Sequence, residues 1–87
     1  MNMNTDELMS KSHELWSDVL KTDDLSRQTD FFDQGGTSLS LLELLAETKK
    51  RFSVKLKVSD FEQGLSLELY ENLVLKSIKQ EQETVLS

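Results

Sequence analysis

The chain has 87 residues and is 37% hydrophobic, which suffices for one small folded domain and is too high for a disordered chain. Its 16 acidic and 10 basic residues give a net charge of −6, so most of the surface would repel nucleic acid, and nucleic-acid binding is not expected. Cysteine is absent, which excludes disulfides, thiolate metal sites and a catalytic cysteine, so any thiol chemistry needs an imported thiol.

The expected location follows from hydropathy. No apolar run reaches membrane-spanning length, and the start Met-Asn-Met-Asn-Thr-Asp lacks the basic and apolar regions of a signal peptide. We expect a soluble, cytoplasmic monomer with no membrane partner. We also expect residues 1–87 to form a single domain, with a structured core over about residues 5–80 and flexible termini.

The first predicted element is a helix over about residues 5–20, capped by Asn4 or Thr5. With no proline and only three glycines, all between segments of helical periodicity, the chain is predicted to form an all-helical domain. His13 lies in mid-helix among polar neighbours and is expected on the surface. The predicted inward face of this helix comprises Leu8, Ser12, Leu15, Trp16, Val19 and Leu20.

A long polar segment, residues 21–37, follows the first helix and is predicted to be a loop. Loops of this length in small domains are commonly functional. We expect Phe31, Phe32 and Trp16 to lie in the core, with one loop phenylalanine anchoring the loop on the helices. The four loop aspartates, at positions 23, 24, 30 and 33, do not have the spacing of a calcium-binding loop, so no metal site is predicted.

The second predicted helix runs from Ser38 to about Phe52, and it carries two separate apolar groups. At 100° per residue, one narrow face, expected to be in the core, contains Leu41, Leu44, Leu45, Thr48 and Phe52. Glu43, Glu47 and Lys50 lie opposite this face. The second apolar group, Leu39, Leu42 and Ala46, is rotated by roughly a third of a turn, with Ser38 between the groups. The core cannot readily use both groups, so the second is predicted to be a docking surface for partner proteins.

Half of the basic residues fall near the end of this helix: Lys49, Lys50, Arg51, Lys55 and Lys57. The favoured interpretation is a solvated helix end, where cations interact well with the helix dipole. A surface for an anionic partner is the second interpretation.

The last third of the chain is predicted to contain two helical elements. Residues 53–58 alternate like a strand but have no companion, so we expect an extended connector. Ser59 is predicted to cap a short helical turn that Gly64 ends, and Ser66 to cap the last helix. Residues 80–87 are expected to fray. The inward face of the last helix is predicted to be Leu67, Tyr70, Leu73, Val74, Ser77 and Ile78.

The most informative segment is residues 31–39, which read Phe-Phe-Asp-Gln-Gly-Gly-Thr-Ser-Leu. Gly35 and Gly36 leave the approach to Ser38 open, and a helix N-terminus favours an attached anion such as a phosphate ester. A simple helix N-cap is the structural alternative for Ser38. A catalytic serine is disfavoured because it needs an adjacent base, and the only histidine is His13.

Together with its flanking helices and the Ser-Asp-Phe turn near residue 60, this segment resembles the carrier-protein superfamily. The closest similarity is to peptidyl or aminoacyl carrier proteins (thiolation domains) of nonribosomal peptide synthesis. In that family the loop motif corresponds to Phe32, Asp33, Gly35 and Gly36. The serine that follows is converted to a 4′-phosphopantetheine ester from coenzyme A, which implies that Ser38 is the covalent site.

The resemblance also implies a fold and a set of partners. Family members are small four-helix bundles with a long first loop and a short third helix, and they carry acyl groups as thioesters without catalysing reactions themselves. The implied partners are a phosphopantetheinyl transferase, an adenylation or other acyl-loading enzyme, and condensation, ketosynthase, tailoring or thioesterase enzymes. They would meet Thr37, Leu39, Leu42 and Ala46, while Asp33 would help to orient magnesium or a transferase residue.

Three alternatives stay open at this point. The mixed charge of the second helix favours the peptidyl type, for example in antibiotic biosynthesis, over an acyl carrier of fatty-acid or polyketide assembly, whose helix is typically acidic. Thr37 stands where many peptidyl carriers have His or Asp. An unmodified helical adaptor using the same apolar group is the alternative from another class. Met1 stands just before the first helix, which suits a free-standing carrier and an excised domain alike.

Overall fold

The computed structural model describes the backbone of residues 4–62 and 64–86, and side chains as far as residue 79. Over these residues it contains three α-helices: α1 (Thr5–Leu20), α2 (Ser38–Phe52) and α3 (Leu67–Leu86). Two 3-10 turns, Phe32–Gln34 and Val58–Phe61, lie in the connections, and the described residues contain no β-strand. The prediction of an all-helical fold with a long loop between the first two helices is confirmed.

The short third helix of the expected bundle takes a tighter form. The described residues contain no fourth α-helix, and the segment in question is the 3-10 turn Val58–Phe61. Ser59 does not cap it: the Asp60 carboxylate accepts the N–H of Lys57 at 2.9 Å, and the Asp60 N–H donates to the Lys57 carbonyl at 3.0 Å. Gly64 ends the segment as predicted, with φ at 122° and its N–H bonded to the Phe61 carbonyl.

The predicted bounds and N-cap of α1 and the predicted start and N-cap of α3 are confirmed. The Asn4 side chain accepts the N–H of Glu7 at 2.7 Å, and Lys21 ends α1 in the left-handed conformation. The Ser66 hydroxyl accepts the N–H of Leu69 at 3.2 Å, which caps α3. The backbone of α3 is helical as far as Leu86, and the fraying expected for residues 80–87 stays a prediction.

The core lies between α1 and the other two helices, and three aromatic rings form its centre. Trp16 packs edge-on against Phe31, with ring centroids 5.2 Å apart, and against Tyr70 at 5.6 Å. The predicted inward faces supply the surrounding side chains, all of them buried: Leu8, Leu15, Val19, Leu41, Leu44, Phe52, Leu67 and Val74. Truncating one of the three rings would cost about 3–5 kcal/mol.

Of the two loop phenylalanines, only Phe31 is in the core. Phe32 has 48% of its surface exposed, so its predicted burial is wrong. The N–H of Phe31 donates to the Leu65 carbonyl, which fixes this residue against the start of α3. Phe32 begins the 3-10 turn, where consecutive side chains point about 120° apart, so both rings cannot enter the core.

The long loop is held to α3 by polar side chains. Both oxygens of Asp30 accept backbone bonds, from the Leu65 N–H at 2.8 Å and from the Phe32 N–H at 3.0 Å. Arg27 makes a two-pronged ion pair with Glu71 of α3, at 2.7 and 3.0 Å. The Gln34 side chain accepts the N–H of Ser26 and donates to the carbonyls of Ser26 and Thr29, so it links the two halves of the loop. The loop therefore has a defined shape up to the start of α2.

The connector between α2 and the second 3-10 turn is extended, as predicted. Val54 and Leu56 are buried, whereas Lys55 and Lys57 are exposed. Because side chains alternate along an extended segment, Val54 and Leu56 pack into the core while the two lysines face solvent, and no strand partner is needed.

Candidate functional site

Ser38 is the first residue of α2, and its neighbour Thr37 is the N-cap. The Thr37 hydroxyl accepts the N–H of Ser40 at 3.1 Å and lies 3.0 Å from the Ser40 hydroxyl. The alternative that Ser38 is itself the cap is therefore wrong. Ser38 is exposed, and its hydroxyl makes no hydrogen bond to any side chain that the structure describes.

The two glycines before Ser38 have different structural roles. Gly35 has φ at 101°, which an L side chain rarely adopts, and its N–H closes the 3-10 turn on the Phe32 carbonyl at 3.3 Å. A Cβ on Gly36 would overlap the ring of Phe31 and lie 2.7 Å from its carbonyl oxygen. Gly36 is thus required because the backbone passes directly over the core ring of Phe31, where a side chain would collide with it.

The electrostatics at the start of α2 suit an anion. The first backbone bond of the helix runs from the Leu41 N–H to the Thr37 carbonyl, and Thr37 caps the N–H of Ser40. The N–H groups of Ser38 and Leu39 precede these and have no partner within the helix. No acidic residue lies in the first turn of α2. A phosphate bound through Ser38 would meet unpaired donors and the positive end of the helix dipole.

Beside Ser38, α2 presents apolar side chains to solvent. Leu39 is 67% exposed and Leu42 is 59% exposed, and Ala46 is exposed one turn further along. The helix buries its other apolar face, Leu41, Leu44, Thr48 and Phe52, in the core. Thr37 is exposed at the start of the helix. Leu39, Leu42 and Ala46 thus share one exposed side of α2, and Thr37 and Ser38 are exposed at its start.

The other candidate residues are on the loop and on α1. Asp33 is exposed in the first 3-10 turn, and Asp30 is a structural residue of the loop. His13 is exposed on α1. Within residues 4–62 and 64–79, no group of three His, Asp or Glu side chains could hold a metal ion. The exposed Phe32 ring, which sequence reasoning assigned to the core, is an accessible aromatic group in the loop that leads to Ser38.

Below the site, a buried hydroxyl pair joins α2 to α3. The Thr48 hydroxyl lies 2.6 Å from the Tyr70 hydroxyl and 2.6 Å from the Leu44 carbonyl oxygen. Burial raises the pKa of Tyr70 far above its usual value, although the hydrogen bond between Tyr70 and Thr48 and the charge of Arg51 act in the opposite direction. Tyr70 is therefore neutral under ordinary conditions.

A protein-family model described as "Phosphopantetheine attachment site" matches residues 13–74, which include the long loop, α2 and the first part of α3. The chain belongs to this family. It is a phosphopantetheine carrier of the carrier-protein superfamily, and its domain type attaches 4′-phosphopantetheine covalently. A comparison with curated proteins finds no match.

The carrier fold described above fits this prosthetic group. Ser38 presents an exposed hydroxyl at the N-terminus of α2, beside N–H groups that have no partner within the helix. The first turn contains no acidic residue, and Gly35 and Gly36 carry no side chains. Carrier domains imply a phosphopantetheinyl transferase and biosynthetic enzymes as partners. None of the helices in the described part of the chain combines the length and apolar content needed to cross a bilayer.

Proposed function

We propose that Ser38 carries the 4′-phosphopantetheine group. The observation that supports this assignment best is that the hydroxyls of the adjacent residues Thr37 and Ser38 have different roles. Thr37 caps α2, so the hydroxyl of Ser38 is exposed and unbonded at the same helix end. A serine that is not needed for capping, inside the range matched by the family, is a suitable acceptor.

In this proposal the chain presents the group and other enzymes perform the reactions. The glycines let a transferase reach the Ser38 hydroxyl, and the free N–H groups of Ser38 and Leu39 stabilise the phosphodiester once it has formed. The bound group supplies a flexible thiol that holds an acyl chain as a thioester. The protein itself is proposed to be non-catalytic, because the one histidine, His13, lies on α1 and no described side chain hydrogen-bonds the Ser38 hydroxyl as a general base would.

We further propose that the carried group belongs to nonribosomal peptide synthesis or a hybrid secondary-metabolite pathway. The support is the mixed charge of α2, which ends in Lys49, Lys50 and Arg51. The alternative is an acyl carrier of fatty-acid or polyketide assembly. A loading assay separates them: amino-acid adenylating enzymes acylate the peptidyl type, whereas acyl-transferring enzymes load the other.

The surface of Thr37, Leu39, Leu42 and Ala46 is proposed to contact the partners. These would be the transferase, the adenylation or acyl-loading enzyme, and later condensation, ketosynthase, tailoring or thioesterase enzymes. Because one surface has to serve several enzymes in turn, each complex should be weak and short-lived. Asp33, exposed one short turn before Ser38, is proposed to help orient magnesium or a transferase residue. We also propose that residues 1–87 act as one monomeric, cytoplasmic carrier domain.

The attachment site is tested by intact mass after incubation with coenzyme A and a broad-specificity phosphopantetheinyl transferase. The wild type should gain one 4′-phosphopantetheine group and Ser38→Ala none. Ser40→Ala is the matched control. It removes a serine hydroxyl two residues further along the first turn of α2, and this variant should be modified fully. An unmodified adaptor would gain no mass. Attachment to any residue other than Ser38, located by fragmenting the modified peptide, would overturn the assignment.

A further inference from the structure

The exposed side of α2 changes character along its length. Leu39, Leu42 and Ala46 are followed at the same three- and four-residue spacing by Lys49 and Lys50. The two lysines, here called the lysine end, therefore continue the apolar surface away from Ser38. At a rise of 1.5 Å per residue, Lys49 lies about 15 Å along the helix from Leu39.

The lysine end has no partner within the described part of the protein. Arg51 is engaged by Glu47 at 3.0 Å and by Asp18 of α1 at 3.3 Å, so its charge is compensated. Glu47 is the one acidic residue three or four positions from Lys50, and its carboxylate is already paired with Arg51. Lys49 has Leu45, Ala46, Phe52 and Ser53 at these spacings, and none of them is acidic.

The helix dipole favours cations in the last turn of α2, where Lys49, Lys50 and Arg51 lie, but it does not select a side of the helix. Lys49 and Lys50 are exposed on the side that carries Leu39 and Leu42. In a chain with a net charge of −6, two unpaired cations adjoining an exposed apolar surface form a distinct local feature.

We propose that the lysine end binds an acidic patch on the enzyme that loads the carrier, about 15 Å from the apolar depression that receives Leu39 and Leu42. This inference rests on the proposed carrier function and adds the chemistry of one partner surface. The charge pair would set the direction in which α2 lies on the enzyme, so that Ser38 is always at the same end. An acidic protein surface is favoured over a nucleic acid or membrane because the lysines border a short apolar helix face, whereas the rest of the chain is acidic.

The test uses the full chain, converted to its holo form, and the loading enzyme purified from the source organism by its acylation of that holo protein. Three double variants are compared with the wild type: Lys49→Glu/Lys50→Glu, the milder Lys49→Gln/Lys50→Gln, and the control Lys55→Glu/Lys57→Glu. The control makes the same change in net charge on the exposed side of the connector. Circular dichroism and complete conversion to the holo form, read by mass, establish that each variant folds.

At about 50 mM salt, the kcat/KM of loading should fall about tenfold for Lys49→Glu/Lys50→Glu and about threefold for the glutamine variant, while the control stays within about twofold of wild type. The difference should shrink at about 500 mM salt. Equal losses for the control and the Lys49/Lys50 variants, or loading of all variants at the wild-type rate, would overturn the inference.

A carbodiimide cross-link gives an independent readout, because it joins a lysine amine to a carboxylate that it touches. Peptides joining Lys49 or Lys50 to Asp or Glu of the enzyme are expected, and links from Lys55 or Lys57 alone would contradict the proposal. The carrier assignment and the role of the lysine end are overturned by different results. No mass gain at Ser38 overturns the carrier assignment together with this inference, whereas full holo conversion with unchanged loading overturns this inference alone.

Discussion

The hydroxyls of Thr48 and Tyr70 lie 2.6 Å apart in the core and join α2 to α3. Tyr70 is fully buried, and Thr48 also bonds the Leu44 carbonyl, so both hydroxyls are satisfied without water. This pair connects the helix that carries Ser38 to the helix that anchors the long loop.

The buried phenol predicts a loss of stability at high pH. The folded pKa of Tyr70 is raised, whereas the unfolded chain releases this proton near pH 10. The contribution of Tyr70 is therefore fully present below about pH 10 and is lost as the pH rises above it, because only the unfolded state ionises freely. Tyr70 is the one tyrosine of the chain, so phenolate absorbance should appear together with unfolding in an alkaline titration.

Tyr70→Phe is the control for the alkaline experiment. Lysine deprotonation contributes equally to both proteins, and Thr48 keeps its bond to the Leu44 carbonyl. Urea midpoints measured from about pH 8 to about pH 11 should fall more steeply for the wild type than for Tyr70→Phe. Parallel pH profiles, or phenolate absorbance in the folded protein, would show that burial does not hold the proton on Tyr70.

The cap of α2 separates the roles of two neighbouring hydroxyl residues. Thr37→Ala removes the acceptor of the Ser40 N–H and should lower the free energy of unfolding by about 0.5–2 kcal/mol, whereas Thr37→Ser should restore most of it. Ser38→Ala changes an exposed residue and should stay within about 0.5 kcal/mol of the wild type. Urea unfolding of the three variants provides the measurement. A larger loss for Ser38→Ala than for Thr37→Ala would mean that Ser38 is the capping residue.

The glycine pair predicts two substitutions with unequal costs. Gly36→Ala places a methyl group against the ring and carbonyl of Phe31 and should destabilise the protein by about 2 kcal/mol or more. Gly35→Ala meets no atom within 4 Å and costs only the strain of a positive φ, about 1 kcal/mol. Thermal unfolding should therefore rank wild type, Gly35→Ala and Gly36→Ala in order of decreasing stability. The reverse order of the two variants would show that Phe31 does not pack under Gly36.

The ion pair between Arg27 of the loop and Glu71 of α3 should contribute to the free energy of unfolding, because Glu71 is buried. Glu71 is 5% exposed, so Arg27→Ala leaves its carboxylate without a counter-charge and should cost about 1–3 kcal/mol. The Arg27 side chain is 42% exposed, which keeps the expected value at the lower end of the range for buried pairs.

The double variant Arg27→Ala/Glu71→Met is the control for this pair. It replaces the stranded carboxylate with an apolar side chain of similar length and should recover much of the lost stability. A double-mutant cycle by urea unfolding measures the coupling between the two residues. A coupling of zero would show that the pair does not hold the loop on α3.

The three long helices were predictable because their signals are local. Leu8, Leu15 and Trp16 repeat at helical spacing, and Asn4 and Ser66 are preferred capping residues beside the repeats. The exposure of Leu39 and Leu42 followed from the same periodicity, since a helix on the surface of a small domain can bury only one face.

The details that sequence reasoning missed depend on contacts distant in the chain. Phe31 and Phe32 are chemically identical, and the bond from Phe31 to Leu65 decides which ring enters the core. Both Thr37 and Ser38 are good N-cap residues, and the choice is made by the extended backbone of Thr37 that follows the glycine turn. At the second 3-10 turn, the cap came from Asp60 within the turn rather than from Ser59. None of these choices leaves a periodic signal.

The contact between Gly36 and Phe31 has a consequence for successive partners. The ring that fills the centre of the protein also supports the backbone two residues before Ser38, so the loop cannot shift without disturbing close-packed atoms. A group attached outside the fold would be exchanged without altering this support. Each enzyme would then encounter the same arrangement of loop and helix, and would distinguish one stage of synthesis from the next by the attached chain alone.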